Sequence, residues 1–228
     1  MMAYGGPNSL EEIEPYLLDV RGGRPTPHEL VEEIRERYAM IGGRSPLLRI
    51  TRAQAHALEE RLNAAGKAEY RTYVGMRHWF PYIREAVAQI VEDGLREVVA
   101  LCMAPHYSRM SIGAYFRKVQ EALGADLDVH FVQSWHDHPL FIEAIAEKVR
   151  AALERFPAEV RDKVKIVFTA HSLPASIVEQ GDPYDAQLRE TARLAAARLE
   201  LPAETWQFCY QSAAAGSTKW LGPPIEDV

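Results

Sequence analysis

The sequence predicts an α/β protein made of two similar Rossmann-like βαβ halves facing each other, the second half incomplete. Three observations lead there. Strand-like and helix-like segments alternate with short connections, the signature of a parallel sheet covered by helices. Strands end at Tyr4, at the loop holding His78 and at His106, and then again at His171 and at Gln211-Ser212. That coarse echo is what two related βαβ halves would leave. With 228 residues, 47% apolar and 25% charged, the chain has material for a sizeable core and one large or two small domains. The expected division is residues 1–134 and 135–228.

Taken in order, the first strand is Met1-Met2-Ala3-Tyr4, broken by Gly5-Gly6-Pro7. Helical periodicity follows over 9–18, 28–40 and 51–65. A strand is expected over 70–75, a helix over 81–94 and a buried strand over 96–105. A helix over 111–123 precedes a strand over 127–135, and a long amphipathic helix runs from 138 to 155. The β-branched, apolar run "VKIVFTAHSLP", residues 164–174, reads as a buried strand that ends in His171. A helix near 185–199 and a strand over 205–212 complete the pattern. The third strand of the second half, the counterpart of "REVVALCMAPH", is not found before Val228.

Composition excludes several classes of function. A net charge of −6 without long basic runs argues against nucleic acid as the main partner. No apolar run is long enough to span a bilayer and no basic-then-apolar leader precedes the first strand, so the expected location is cytoplasmic. Cys102 and Cys209 are far apart and make no zinc or iron–sulfur spacing, so they read as small core residues without a disulfide.

Ionisable groups gather at strand ends. Of eight histidines, His78, His106, His136, His138 and His171 lie at or just beyond them. In open α/β sheets ligands bind at the carboxyl ends of strands, so His171 is a candidate for chemistry. For His106, His136 and His138 a role in capping helices or bonding to loop backbone is preferred over a functional one. His136-Asp137-His138 resembles a helix entry, with Pro139 in the first helical position. No HExxH pattern is present, and His171-Ser172 lacks the GxSxG elbow of a hydrolase. Gly5-Gly6 and Gly42-Gly43 suit tight turns or close approach to a ligand, and Arg21, Arg37 and Arg44 lie between or beside them.

The segments "MAYGGP", "YAMIGGRSPL", "YVGMRHWFPYI", "LCMAPHYS", "SWHDHP", "AHSLP", "GDPY" and "YQS" followed by "WLGPPI" together resemble the ferrochelatase family, from the first residue to the last. The resemblance implies a chelatase-like fold of two α/β halves with a cleft between them and insertion of ferrous iron into a porphyrin during haem synthesis. It implies that His171 binds metal or abstracts a proton, that His78 is catalytic, and that Tyr4 lies near the metal, with packing at the domain interface as the alternative for Tyr4. Arg77 stands where the family often has a lysine. Arg21, Arg37, Ser45 and Tyr115 fall where the coproporphyrin-using branch holds propionates, although Arg37 also fits the polar face of a helix. Trp220 resembles an aromatic wall beside the macrocycle. Metal insertion requires the loss of two pyrrole N–H protons, and a neutral imidazole can accept one or escort a borderline cation.

The pattern also departs from the family. Family members continue past "WLGPPI" to a strand whose end supplies an acidic residue, which has no counterpart before Val228, and "YQSAAAGSTKW" carries extra small residues. The chain is therefore expected to be a fragment, to need a partner segment, or to be a porphyrin- or haem-binding module without turnover. A cobalt chelatase of another tetrapyrrole is the remaining alternative. No cofactor beyond substrate Fe2+ and no iron–sulfur cluster are expected, and the partners are porphyrin, ferrous iron and, transiently, other proteins of the haem pathway.

Overall fold

The structure is a computed structural model, and it describes residues 1–124, 127–213 and 216–228. Two of the extra small residues, Ala214 and Ala215, lie outside the described residues. The elements in chain order are β1 (Met2–Ala3), α1 (Ile13–Val20), α2 (His28–Met40), α3 (Leu47–Ala64), β2 (Gly75–Met76), α4 (Ile83–Glu92), β3 (Glu97–Leu101), α5 (Ile112–Ala122) and β4 (Asp128–Val132), followed by α6 (Pro139–Leu153), α7 (Ala158–Arg161), β5 (Ile166–His171), α8 (Ser176–Glu179), α9 (Tyr184–Arg198) and β6 (Trp206–Gln211). The chain divides into two compact units. One holds residues 1–104 and 112–133, the other 105–111 and 134–228.

In the first unit all strand pairs are parallel. β1 pairs with β2 through Met2 opposite Gly75, and β3 pairs with β4 from Glu97 opposite Asp128 to Leu101 opposite Val132. A single parallel bridge from Met2 to Cys102 joins the two pairs, giving the order β2, β1, β3, β4. The chain leaves β1 towards β2, returns past it and continues to β3. The carboxyl end of β1 is therefore a topological switch point, the place where open α/β sheets bind ligands. Tyr4 follows β1 immediately. Helices α4 and α5 pack on each other, while Ile13, Tyr16, Leu17, Val31 and Trp79 form a separate core under α1 and α2.

The second unit is built around β5 and β6, parallel and in register from Ile166 opposite Trp206 to His171 opposite Gln211. Helices α6 and α9 pack together, and Ile177, Leu188, Tyr210 and Leu221 make the core. Helix α6 begins as the sequence anticipates: His138 is the N-cap, its side chain accepting from the Leu140 N–H at 3.2 Å, with Pro139 first in the helix. Residues 105–111 join this unit because buried Asp182 accepts from Ser108 Oγ at 3.0 Å and from the Arg109 N–H at 2.8 Å.

Two expectations need correction. The strand expected over 70–75 shrinks to Gly75–Met76, because the preceding backbone bonds to side chains of α3: the Tyr70 N–H donates to Asn63 Oδ1 at 2.7 Å and the Thr72 N–H to Glu59 Oε2 at 2.5 Å. β3 and β5 are not buried on both faces. Val99 is 61% exposed, and along β5 the intermediate residues Ile166, Phe168 and Ala170 alternate with the exposed Val167, Thr169 and His171. An apolar run gives the period of a strand but not whether its second face is covered.

Candidate functional site

In the first unit the turn after β1 and the turn after β2 lie side by side. The Arg77 N–H donates to Ala3 O at 2.9 Å and the His78 N–H to Tyr4 O at 2.9 Å. Gly5 makes this possible. Its φ is +94°, and a Cβ there would stand 2.9 Å from the Trp79 backbone nitrogen. The Tyr4 and His78 rings consequently lie 4.6 Å apart between centroids, tilted by 48° to each other. The Arg77 guanidinium lies 5.5 Å from the centre of the buried Tyr115 ring.

The electrostatics follow from half-burial among mixed charges. Desolvation pushes the Tyr4 phenol above its ordinary value of 10.0, with Arg77 pulling it back and Asp19 adding to the rise. Desolvation pushes the His78 imidazole below its ordinary 6.5, opposed by its hydrogen bond to Asp19 and aided by Arg77 and Lys118. His78 is thereby kept neutral at neutral pH, able to accept a proton. Burial drives the Tyr115 hydroxyl far upward, so it stays a neutral hydrogen-bonding group. Of these residues Arg77 and His78 line a cavity of about 970 Å³ whose walls also include Asp19, Arg84, Arg117, Lys118 and Glu121.

Ser45 is fixed against the β1 turn. Its N–H donates to Pro7 O at 2.8 Å and its Oγ accepts from the Leu47 N–H at 3.2 Å. The space for it exists only because residue 6 is glycine: a Cβ there would lie 2.6 Å from the Ser45 side chain. Arg21 and Arg37 stand apart from this cluster. Arg21 exchanges hydrogen bonds with Arg24, each Nε donating to the other's carbonyl at 3.3 and 3.1 Å. Arg37 pairs with Glu33 one turn back on the exposed face of α2.

His171 belongs to the second unit, as the last residue of β5, and its side chain is exposed. Three sequence motifs converge to hold that strand end. Tyr184 of "GDPY" donates its hydroxyl to His171 O at 3.1 Å. Ser172, fully buried, donates Oγ to Leu221 O of "WLGPPI" at 2.9 Å and its N–H to Gln211 O of "YQS" at 2.8 Å. A hydroxyl so enclosed and committed is a structural group, which disposes of a serine nucleophile. Trp220 is bridged to Pro174 in antiparallel fashion, and its indole Nε1 is buried without a hydrogen-bond partner among the described residues.

Of the residues singled out from sequence, the structure thus gathers Tyr4, Arg77, His78 and Tyr115, places Ser45 against the same turn, and puts His171 and Trp220 in the second unit. Asp19 and Tyr82 went unnoticed in the sequence. Asp19 Oδ1 lies 2.8 Å from His78 Nδ1 and Tyr82 donates its hydroxyl to Asp19 Oδ2 at 3.2 Å, contacts spanning 59 and 63 residues. No local spacing signals such pairs. The group of three metal-capable side chains found among the described residues, Glu97, Asp128 and His130, is exposed and away from these positions in sequence.

Parallel α/β units with a tyrosine and histidines at or just beyond strand ends, and a cation-lined cavity in the first unit, define an α/β protein of the ligand-binding class. Comparison with known proteins makes the assignment specific. The family model described as Ferrochelatase matches residues 1–228. A ferrochelatase of Deinococcus radiodurans is 42% identical over 99% of this chain and 72% of its own length, and one of Herpetosiphon aurantiacus is 42% identical over 100% and 75%. A coproporphyrin III ferrochelatase of Geobacillus sp. strain WCH70 is 40% identical over 100% of this chain and 74% of its own length. The chain belongs to the ferrochelatase family, enzymes that insert iron into porphyrin in haem biosynthesis. Among the described residues no helix is long and apolar enough to cross a membrane.

Proposed function

We propose that the porphyrin metallated by this chain is coproporphyrin III. The observation that carries this reading is the cavity lined by His78, whose wall brings Arg77, Arg84, Arg117 and Lys118 to one opening. Coproporphyrin III presents about four carboxylates at neutral pH and protoporphyrin IX about two, so a cation-rich wall favours the former. Similarity to relatives named coproporphyrin III ferrochelatase supports the same choice.

In this reading Ser45, Arg77 and Tyr115 hold propionates, Arg21 and Arg37 join them only by leaving Arg24 and Glu33, Trp220 contacts the macrocycle, and Tyr4 contacts the metal, its phenol losing a proton under the field of the cation. His171, its backbone hydrogen-bonded at the strand end and its side chain exposed, escorts Fe2+ or takes a pyrrole proton. His78, neutral by burial, is the second acceptor. The proposed setting is the cytoplasm, with transient contact with other haem-pathway proteins.

The test is anaerobic metallation followed by visible absorption, with coproporphyrin III or protoporphyrin IX and Fe2+ in excess over the chain. Multiple-turnover collapse of the four Q bands to two, faster with coproporphyrin III and cut roughly 10²–10⁴-fold in His171→Ala, is the expected result. Preference for protoporphyrin IX overturns the substrate assignment. Spectral shifts on binding without turnover would show a porphyrin-binding module instead.

A further inference from the structure

The His78 side chain is 12% exposed, and every contact described for it is made within the first unit. Its Nδ1 faces Asp19 Oδ1 at 2.8 Å. A carboxylate only accepts, so Nδ1 carries the proton and Nε2 keeps the lone pair. Among the described residues Nε2 forms no hydrogen bond, and the ring lines the cavity. Asp19 is held through its other oxygen as well, by the hydroxyl of Tyr82, over whose ring the Arg84 guanidinium sits at 4.1 Å. The position of Asp19 makes these contacts informative. It lies in the last turn of α1, next to the residue that ends the helix. A carboxylate there opposes the helix dipole, so the helix itself gains nothing from it.

We propose that Asp19 is a positioning residue, holding His78 as the Nδ1–H tautomer so that Nε2 accepts a pyrrole proton during metallation. The inference rests on reading the cavity as the porphyrin site. In that step the pyrrole N–H bond breaks, an Nε2–H bond forms, and the electron pair left on the pyrrole nitrogen binds the incoming Fe2+. The imidazolium then faces the Asp19 carboxylate and returns its proton to water. Without Asp19 the ring is free to turn and to adopt the Nε2–H tautomer, which has no lone pair at that nitrogen.

Two readouts test the idea, one of them independent of catalysis. Long-range ¹⁵N–¹H correlation spectra of the full chain without substrate should show His78 as Nδ1–H, with Asp19→Ala shifting it to Nε2–H and Tyr82→Phe leaving it unchanged. In the metallation assay Asp19→Ala should lose roughly 10- to 100-fold in kcat, the range seen when a functional histidine loses its carboxylate partner. KM for porphyrin should stay within about twofold, because Asp19 is not a propionate ligand. Asp19→Glu, which restores an acceptor, should recover both the tautomer and part of kcat. An Nε2–H wild type, an Nδ1–H Asp19→Ala variant, or a flipped tautomer with full kcat would each overturn the proposal. If wild type metallates no porphyrin, the functional reading fails, while the spectra still accept or reject Asp19 as the tautomer-setting group.

Discussion

His78 and His171 are the same side chain put to use in opposite surroundings. One is nearly enclosed and bonded to a carboxylate; the other stands exposed at a strand end whose backbone, not its ring, is tied down. Removing the His171 ring should therefore leave stability within about 0.5 kcal/mol of wild type, as for surface substitutions generally. A small residue makes the sharper prediction. A Cβ on Gly6 would sit 2.6 Å from both Ser45 Cβ and Oγ, so Gly6→Ala must push the 42–46 loop outward. We expect a loss of about 1–3 kcal/mol in urea unfolding, typical of overpacking, together with weaker porphyrin binding. The double variant Gly6→Ala, Ser45→Gly should recover most of the stability, since the two sites touch. If Gly6→Ala is neutral and the double variant is not better, the contact between the two turns does not limit the fold.

Helix α9 shows how one element gathers distant motifs. Thr191 donates to His136 O at 2.8 Å, so it accepts from His106 Nε2 at 2.9 Å, while His136 Nε2 meets Glu190 at 3.1 Å. Burial and the nearby His136 push the His106 imidazole down to about 4. Its folded value lies below the unfolded one, so the unfolded chain takes up the proton first as pH falls. The stabilising contribution is whole above about pH 6.5 and is lost between there and about pH 4, by at most about 3 kcal/mol. Urea midpoints at pH 7 and pH 4.5 measure it, and His106→Gln should narrow the gap between them; an unchanged gap would assign acid sensitivity to other groups. Elements of this kind were legible where a local pattern fixed them. Residues 28–40 matched α2 throughout, and His138-Pro139 marked the start of α6. Residues 70–74 were misread because side chains of α3, not a neighbouring strand, satisfy their backbone. The site was legible to the same extent. Tyr4, His78 and His171 stand at turns that punctuate the sequence, whereas Asp19 and Tyr82 acquire meaning only through long-range contacts.

At the scale of the whole molecule, charge sets a competition. The chain carries 32 acidic against 26 basic residues, a net charge of −6 that repels a porphyrin polyanion. The cavity wall opposes this locally. Arg77, Arg84, Arg117 and Lys118 line it, while Asp19 is engaged by His78 and Tyr82 and Glu121 lies 3.4 Å from Lys118. Distance decides which effect wins. At 0.1 M salt the screening length is about 10 Å, so charges dispersed along the chain are muted while contacts of about 4 Å in a partly enclosed cavity persist. Binding of coproporphyrin III should then be governed by the cavity and weaken as salt rises further. Because it carries about four carboxylates where protoporphyrin IX carries about two, its affinity should fall more steeply between 0.1 and 0.5 M NaCl. Porphyrin fluorescence titrations at several salt concentrations give both slopes. Replacing Arg117 and Lys118 together by alanine should bring the two slopes closer, without removing any of the ring contacts around His78. Parallel slopes in the unaltered chain would mean that apolar contact with the macrocycle, and not recognition of its carboxylates, governs binding, and the preference for coproporphyrin III would lose its physical basis.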